Sequence, residues 1–196
     1  SSNSEMLSWP NSPLLVMLKF VDSNVLLGGE QSRITTLHHL SGLLHPSNYS
    51  THVNQLILAK QLIQHGANVN ALSIPQKTTP LHTACYSGVV TNLDFIELLL
   101  EEGADPNAQH TLGMTPCMVT TKLAPSAAKF MMHWPATDVN IIPQDGESFL
   151  VKVRKTIAAL SMSVTFPGNP ELVQHQFALQ QWRDIEDMLV ERGARS

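Results

Sequence analysis

The chain has 196 residues, of which 43% are hydrophobic, and its 12 basic and 16 acidic side chains give a net charge of −4. This apolar content is sufficient for a packed core, and the mildly acidic balance argues against a general nucleic-acid-binding surface. No apolar stretch reaches the roughly 18 residues of a membrane-spanning helix, so we expect no membrane partner. The two cysteines, Cys85 and Cys117, lie in apolar helical patterns without metal-binding spacing, which predicts buried thiols in the cytoplasm or nucleus.

A repeated phrase organises the sequence. Residues 66–71 read GANVNA, residues 103–108 read GADPNA, and each copy ends a helix-like apolar run. Self-similarity at this period is typical of stacked helical repeats, in which each unit buries its core against its neighbours. The pattern therefore favours an extended array and makes the binding partner the central question.

The chain opens with an imperfect unit. Residues 1–34 are predicted to form a partial repeat or cap, with a helix over 14–21 that begins after Ser12-Pro13. Asn24-Val25 aligns with Asn68-Val69 of the next unit, 44 residues later.

The first full unit is predicted over residues 35–71. Thr35 opens its first helix and His38 follows one turn later. Residues 45–50 are rich in Pro, Ser and Asn, which predicts a loop inserted between the two helices.

Residues 72–108 form the most regular unit. Thr79 is a suitable helix cap, and Pro80 is tolerated in the first turn. Gly88 is expected to end this helix, and a second helix follows from about Asp94 to Glu102, closed by Gly103. Two short helices and a polar loop make up the unit.

The third unit, residues 109–141, is weaker. Thr115-Pro116 repeats the helix start, but Cys117 and Met118 replace the Leu and His of the better unit. A second helix is predicted from Ala127 to Trp134.

The last unit, residues 142–196, departs further. Phe149 stands where the proline belongs, so a different turn is expected, and the first helix is predicted to run to about Leu160. Asn169-Pro170-Glu171 then starts a helix of about 22 residues, whose core would include Trp182.

The best units resemble ankyrin repeats. The family pattern contains Thr-Pro-Leu-His-x-Ala-Ala and a Leu-rich helix that ends in Gly-Ala-Asp-x-Asn-Ala, and residues 79–85 and 96–108 match it closely. The resemblance is strong over 58–116 and loose toward both ends. It implies an all-α solenoid of helix–turn–helix–loop units, here with an inter-helix insert in the first full repeat and a long final helix.

The resemblance implies structural roles for the recurring motif. Its histidine, here His38 or His82, would bond the threonine of the same motif and neighbouring backbone. The positions expected to maintain the repeats are Thr35, His38, Thr79, Pro80, His82, Gly103, Thr115 and Pro116.

An ankyrin array implies a scaffold that binds a partner protein and has no catalysis or cofactor of its own. The concave face of the first helices and the loop tips would bind the partner, Tyr86 would be an anchor, and the lysines would favour an acidic segment. We expect an intracellular monomer with no nucleic-acid partner. The predicted partner contacts are His39, Gln76, Lys77, Thr83, Tyr86, His110, Lys122, Lys152 and Lys155.

Further hypotheses remain open. Asn70 and Asn107 each follow a leucine by eight residues, which resembles the acceptor pattern of asparaginyl hydroxylases, although both could simply bond loop backbone. The chain could be a targeting fragment of a larger protein, for example one with a MYND-type zinc finger. A divergent helical enzyme is the third hypothesis, but His82 and Cys85 have no third metal ligand nearby.

Overall fold

The computed structural model describes residues 24–25, 27–28, 33–42, 49–86, 93–120, 125–164 and 172–195. These ranges contain isolated β-bridges but no extended strand, so the predicted all-α class is confirmed. The described helices are α1 Thr36–Gly42, α2 Tyr49–Gln64, α3 Pro80–Tyr86, α4 Leu93–Glu101, α5 Ser126–His133, α6 Phe149–Val164 and α7 Leu172–Glu191.

The helices pack in two rows. The first helices α1 and α3 contact each other, while α2, α4, α5 and α7 form a row in which each helix contacts the next. One core runs between the rows, and its fully buried members include Phe95, Ile96 and Leu99 from α4. The core continues into α7 through Trp182, as the sequence predicted. Ile185 and Leu189 of the same helix are also buried.

Several helix boundaries differ from those predicted. Helix α2 begins at Tyr49, so Tyr49 and Ser50 are helical although a loop was expected through residue 50. Helix α6 continues to Val164, four residues beyond the predicted end, and α7 has 20 residues over Leu172–Glu191. Helix ends fray, so a sequence pattern locates a helix boundary only to within a few residues.

The third unit lacks the expected first helix. Residues 116–119 form turns, so Cys117 is not helical as predicted, although it is buried. The Met118 amide donates to the Thr115 carbonyl at 2.9 Å, and the Thr120 hydroxyl donates to the Cys117 carbonyl. Met118 cannot make the bonds of a histidine, and the following β-branched residues have weak helix propensity.

The prediction of a different turn at Phe149 is wrong. Helix α6 begins at Phe149 just as α3 begins at Pro80. The Ser148 hydroxyl accepts the Val151 amide at 3.3 Å, the same separation at which the Thr79 hydroxyl accepts the His82 amide. The cap hydroxyl satisfies an otherwise unpaired amide, and the proline is dispensable.

Asparagine side chains bridge consecutive loops. The Asn70 amide nitrogen donates to the Gly103 carbonyl at 3.0 Å, and its oxygen accepts the Asp105 amide at 2.8 Å. Asn107 repeats the arrangement with the Ala136 carbonyl at 2.7 Å and the Asp138 amide at 2.7 Å. We call these contacts the asparagine bridges.

The asparagine bridges also correct the alignment of the first unit. Asn24 donates to the Gly66 carbonyl and accepts the Asn68 amide, so it occupies the position of Asn70. It was aligned with Asn68, two residues away, because the sequence comparison kept one offset through a loop of different length.

The last unit is fastened to the third by side chains of α7. The Arg192 guanidinium donates to the carbonyls of Met132 and Thr137 at 2.7 and 2.6 Å. Lys129 of α5 pairs with Asp184 at 2.8 Å. The Arg192 bonds satisfy the Met132 carbonyl in the last turn of α5 and the Thr137 carbonyl in the loop that follows.

Two threonine–histidine pairs join the first helices to the next unit. His38 Nδ1 accepts the Thr35 amide and hydroxyl, and its Nε2 donates to the Thr78 carbonyl at 2.7 Å. His82 accepts from Thr79 in the same way and donates to the Met114 carbonyl at 3.0 Å. Each ring is therefore the neutral tautomer with its proton on Nε2.

Burial keeps both rings neutral. It lowers the pKa of His82 to about 4 against the opposing effect of the bond to the Met114 carbonyl, and it also lowers the pKa of His38. Protonation at Nδ1 would replace an acceptor with a donor that faces the Thr79 amide.

We predict that His82→Ala lowers the free energy of unfolding at pH 7 by about 2–4 kcal/mol, because it leaves a cavity and removes partners from buried polar groups. Urea denaturation followed by circular dichroism measures the change. His39→Ala, which alters an exposed neighbour of His38, is the control and should cost less than about 0.5 kcal/mol. Equal losses in the two variants would contradict the role assigned to the ring.

The same ring predicts a pH dependence. Between pH 6.5 and about 4 the unfolded chain binds a proton at His82 that the folded chain does not, so stability is full above this window and falls as the pH falls through it. We expect His82 to contribute a loss of about 2 kcal/mol between pH 6.5 and about pH 5. Urea titrations at both pH values should show that the free energy of unfolding falls further in the parent than in His82→Ala. Equal losses in the two proteins would refute the role assigned to the His82 ring.

We predict that Asn107→Ala lowers the free energy of unfolding by about 1–2 kcal/mol, because two inter-unit hydrogen bonds disappear. Thermal unfolding measures the effect, and Gln109→Ala, at an exposed position in the same loop, is the matched control. If both variants melt with the parent, the asparagine bridges contribute no net stability.

Candidate functional site

The loops between units form a connected series. Arg33 and Ile74 share an antiparallel bridge, the Thr111 amide donates to the Gln76 carbonyl at 2.9 Å, and the Gln144 amide donates to the Leu112 carbonyl at 3.0 Å. These bonds hold adjacent loop tips side by side.

Gly113 allows its loop to pack closely against the loop that contains Pro143 and Gln144. Its φ of +77° lies in the left-handed region, and a Cβ there would stand 3.0 Å from both the Gln144 nitrogen and the Pro143 Cα. A side chain at this position would push the loop of Gly113 away from the loop of Gln144.

A groove of about 470 Å³ lies beside the loop tips that contain Gln76 and Leu112. Helix α3 supplies one wall, the loop over residues 110–114 supplies the other, and the turn at 118–119 contributes the remaining apolar surface. The lining residues are Gln76, Thr78, His82, Thr83, Tyr86, His110, Thr111, Leu112, Met114, Met118 and Val119. We call this the α3 groove.

The α3 groove is uncharged and largely apolar. None of its lining residues is Asp, Glu, Lys or Arg, and burial lowers the pKa of His82 to about 4, which leaves that ring neutral. The His82 and His110 rings lie 5.5 Å apart between centroids. Tyr86 and Leu112 are 67% and 60% exposed, an unusual degree for large apolar side chains that line a concavity.

Four of the nine predicted partner contacts meet in this groove. They are Gln76, Thr83, Tyr86 and His110. Lys77 is exposed beside Gln76 with a φ of 56°, and His39 is exposed on α1. Lys122 lies outside the described residues.

Lys152 and Lys155 lie apart from the groove on α6. Lys152 pairs with Asp145 and Lys155 with Glu147, and the hydrogen bond from Lys152 lowers the pKa of the Asp145 carboxyl. A carboxylate therefore offsets the charge of each of these two lysines, and the partner contacts expected at them stay a prediction.

Sequence reasoning did not single out Met114 or Met118 as lining residues. The available signal was that Met118 replaces the motif histidine. The methionine side chain is flexible, whereas the motif histidine is held by hydrogen bonds, so the surface beside Met118 can adapt.

A smaller groove of about 210 Å³ lies between α2 and α4. Leu56, Ile57 and Leu98 provide its apolar surface, and Asp94, Glu97, Glu101 and Lys60 surround it. Its acidic character contrasts with the uncharged α3 groove.

The cysteines do not resemble nucleophiles. Both are fully buried, and burial raises the pKa of Cys117 to about 12 and that of Cys85 well above its ordinary value. A thiol at such a site stays protonated and inert.

Within the described ranges, no three His, Cys, Asp or Glu side chains are grouped to hold a metal ion. The helices described are also too short or too polar to cross a membrane.

Asn70 and Asn107, the predicted hydroxylation sites, are the bridging residues of the loops. Their amides are engaged with backbone of the following unit. Hydroxylation itself stays a prediction.

Comparison with known proteins places these features in a family. A model of ankyrin repeats, in three copies, matches residues 27–143. The chain is 39% identical over 64 residues to ankyrin repeat domain-containing protein 37 of Mus musculus, covering 33% of this chain and 38% of that protein.

Two longer relatives match a similar region. Identity to the ankyrin repeat and LEM domain-containing protein 1 homolog of Caenorhabditis elegans is 38% over 88 residues, which covers 45% of this chain and 11% of that protein. Identity to the 2-5A-dependent ribonuclease of Mus musculus is 38% over 64 residues, which covers 33% and 8%. The chain thus spans well under two thirds of each relative.

The family match covers more than half of the chain and coincides with the threonine–histidine pairs, the asparagine bridges and the connected loop tips. Ankyrin repeats generally serve as protein–protein interaction modules and are typically non-catalytic. The chain belongs to the ankyrin repeat family.

Proposed function

We propose that this chain is a scaffold that binds a partner protein through the α3 groove and the adjoining loop tips. The observation that carries the proposal is the convergence of Gln76, Thr83, Tyr86 and His110 on one groove. The repeat register alone also predicts each of these four positions as a partner contact.

The physical basis is exposed apolar surface held by a rigid frame. Tyr86 projects from α3, whose motif histidine is bonded on both sides of its ring, and Leu112 lies in a loop bonded to the next one. A partner that covers these side chains would gain from burying them without first ordering the frame. Tyrosine is enriched among residues that dominate interface energies.

The proposal includes no catalysis by this chain. The thiols are buried and protonated, and the two motif histidines are fully used by hydrogen bonds that maintain the repeats. A general base needs a free ring nitrogen that can reach a substrate, which neither His38 nor His82 offers.

A second, compatible proposal is that the array is the binding part of a larger protein whose activity lies elsewhere. It is favoured by the relatives, in which the matched segment is between 8% and 38% of the whole. Sequencing the full-length transcript tests it, and a reading frame confined to these residues would refute it.

We predict that Tyr86→Ala weakens partner binding by about tenfold or more, because an anchor residue is removed. Partners would be captured from lysate with the parent chain and identified by mass spectrometry, and the affinity of a purified partner would then be measured by calorimetry.

Phe177→Ala is the matched control for this measurement. Phe177 is 66% exposed, nearly the same as Tyr86 at 67%, but it lies on α7. It should leave the affinity unchanged. A partner that loses affinity with Phe177→Ala and not with Tyr86→Ala would place binding on α7 and refute the proposed surface.

A further inference from the structure

The α3 groove constrains the chemistry of what can enter it. A charged side chain that entered would lose its hydration, and no lining residue is an Asp, Glu, Lys or Arg that could compensate. The His82 ring adds no charge either, because it donates to the Met114 carbonyl as the neutral tautomer. An uncharged apolar side chain would displace water from Leu112, Met114 and Val119 at no such cost.

The size of the groove fits a bulky side chain together with its backbone. A volume of about 470 Å³ lies within the range of roughly 300–1,000 Å³ typical of pockets that enclose a small organic group. The methionines at 114 and 118 have unbranched, adaptable side chains. They allow the groove to accept several apolar side chains, such as Leu, Met or Phe.

The rim carries polar groups that suit a peptide backbone. Within the described ranges, the Gln76 carboxamide and the Tyr86 hydroxyl make no hydrogen bond, although both border the groove. A carboxamide offers one acceptor and two donor hydrogens, so it can pair with the C=O and N–H of a peptide unit. Extended segments leave those groups available, whereas helices use them internally.

We propose that the α3 groove binds an extended segment of the partner protein through a bulky, uncharged apolar side chain, with the Gln76 carboxamide pairing to the segment's backbone. This inference rests on the proposed function and adds the chemistry of the bound segment. It differs from the acidic segment that the sequence suggested, and two of the lysines behind that expectation, Lys152 and Lys155, are paired with carboxylates.

Four synthetic peptides test the inference directly. Each is an acetylated, amidated heptapeptide of Gly and Ser with a central Leu, Phe, Lys or Glu, titrated into the isotope-labelled chain and followed by two-dimensional NMR. We expect the Leu and Phe peptides to shift the amide resonances of Leu112, Met114 and Val119. Their affinity should exceed that of the Lys and Glu peptides by about tenfold.

Surface variants supply the controls. Leu112→Asp, which places a charge at the rim, should weaken binding of the Phe peptide by about tenfold, and Gln76→Ala should weaken it by about threefold. Val173→Asp, at an exposed position in the first turn of α7, should leave it unchanged. The parent-like NMR spectrum of each variant verifies its fold.

Three results of the peptide titrations would overturn the inference. They are equal or tighter binding of the Lys or Glu peptide in the groove, no binding of any peptide, and no effect of Leu112→Asp. An identified partner that depends on Tyr86 but inserts a charged segment here, as mapped by cross-linking, would reject this inference and leave the proposed function intact. A partner indifferent to Tyr86→Ala would reject the proposed function itself.

Discussion

The structure depends on side chains of one unit that satisfy backbone groups of the next. The carbonyls of Thr78 and Met114 each accept one backbone amide of their own unit, and the imidazoles of His38 and His82 add a second donor from the unit before. The asparagine bridges do the same at the loops. Because a repeat buries its core only against its neighbours, these bonds help to align consecutive units among the described residues.

The proposed binding surface lies where the repeat motif is interrupted. After His82 the next motif position is Met118, and the residues around it form a turn in place of a helix. Met118 and Val119 then line the α3 groove, opposite a helix that still has its full set of motif bonds. A rigid wall beside an irregular, apolar one is a favourable arrangement for recognition, because only part of the site needs to adapt.

Much of this was predictable from local patterns. Helix capping and hydrophobic periodicity act over a few residues. They predict the helix start at Thr79-Pro80, the buried face of α4 and the burial of Trp182. The register of Asn24 was mistaken because only a contact with the next unit reveals it. The turn at 116–119 follows from residues that depart from the repeat motif, and the pairing of Lys152 with Asp145 joins a helix to the loop before it, so a repeat alignment shows neither.

The contacts of Arg192 bear on how the array comes apart. Simple stacks lose their terminal units first, since an end has one neighbour and an interior unit has two. Here Arg192, directly after the last helix, donates two hydrogen bonds to the carbonyls of Met132 and Thr137, so separating that helix would uncover the end of α5 in the unit whose first helix is replaced by a turn. The C-terminal half should therefore open as a single cooperative block, with the boundary between stable and labile regions at the groove itself.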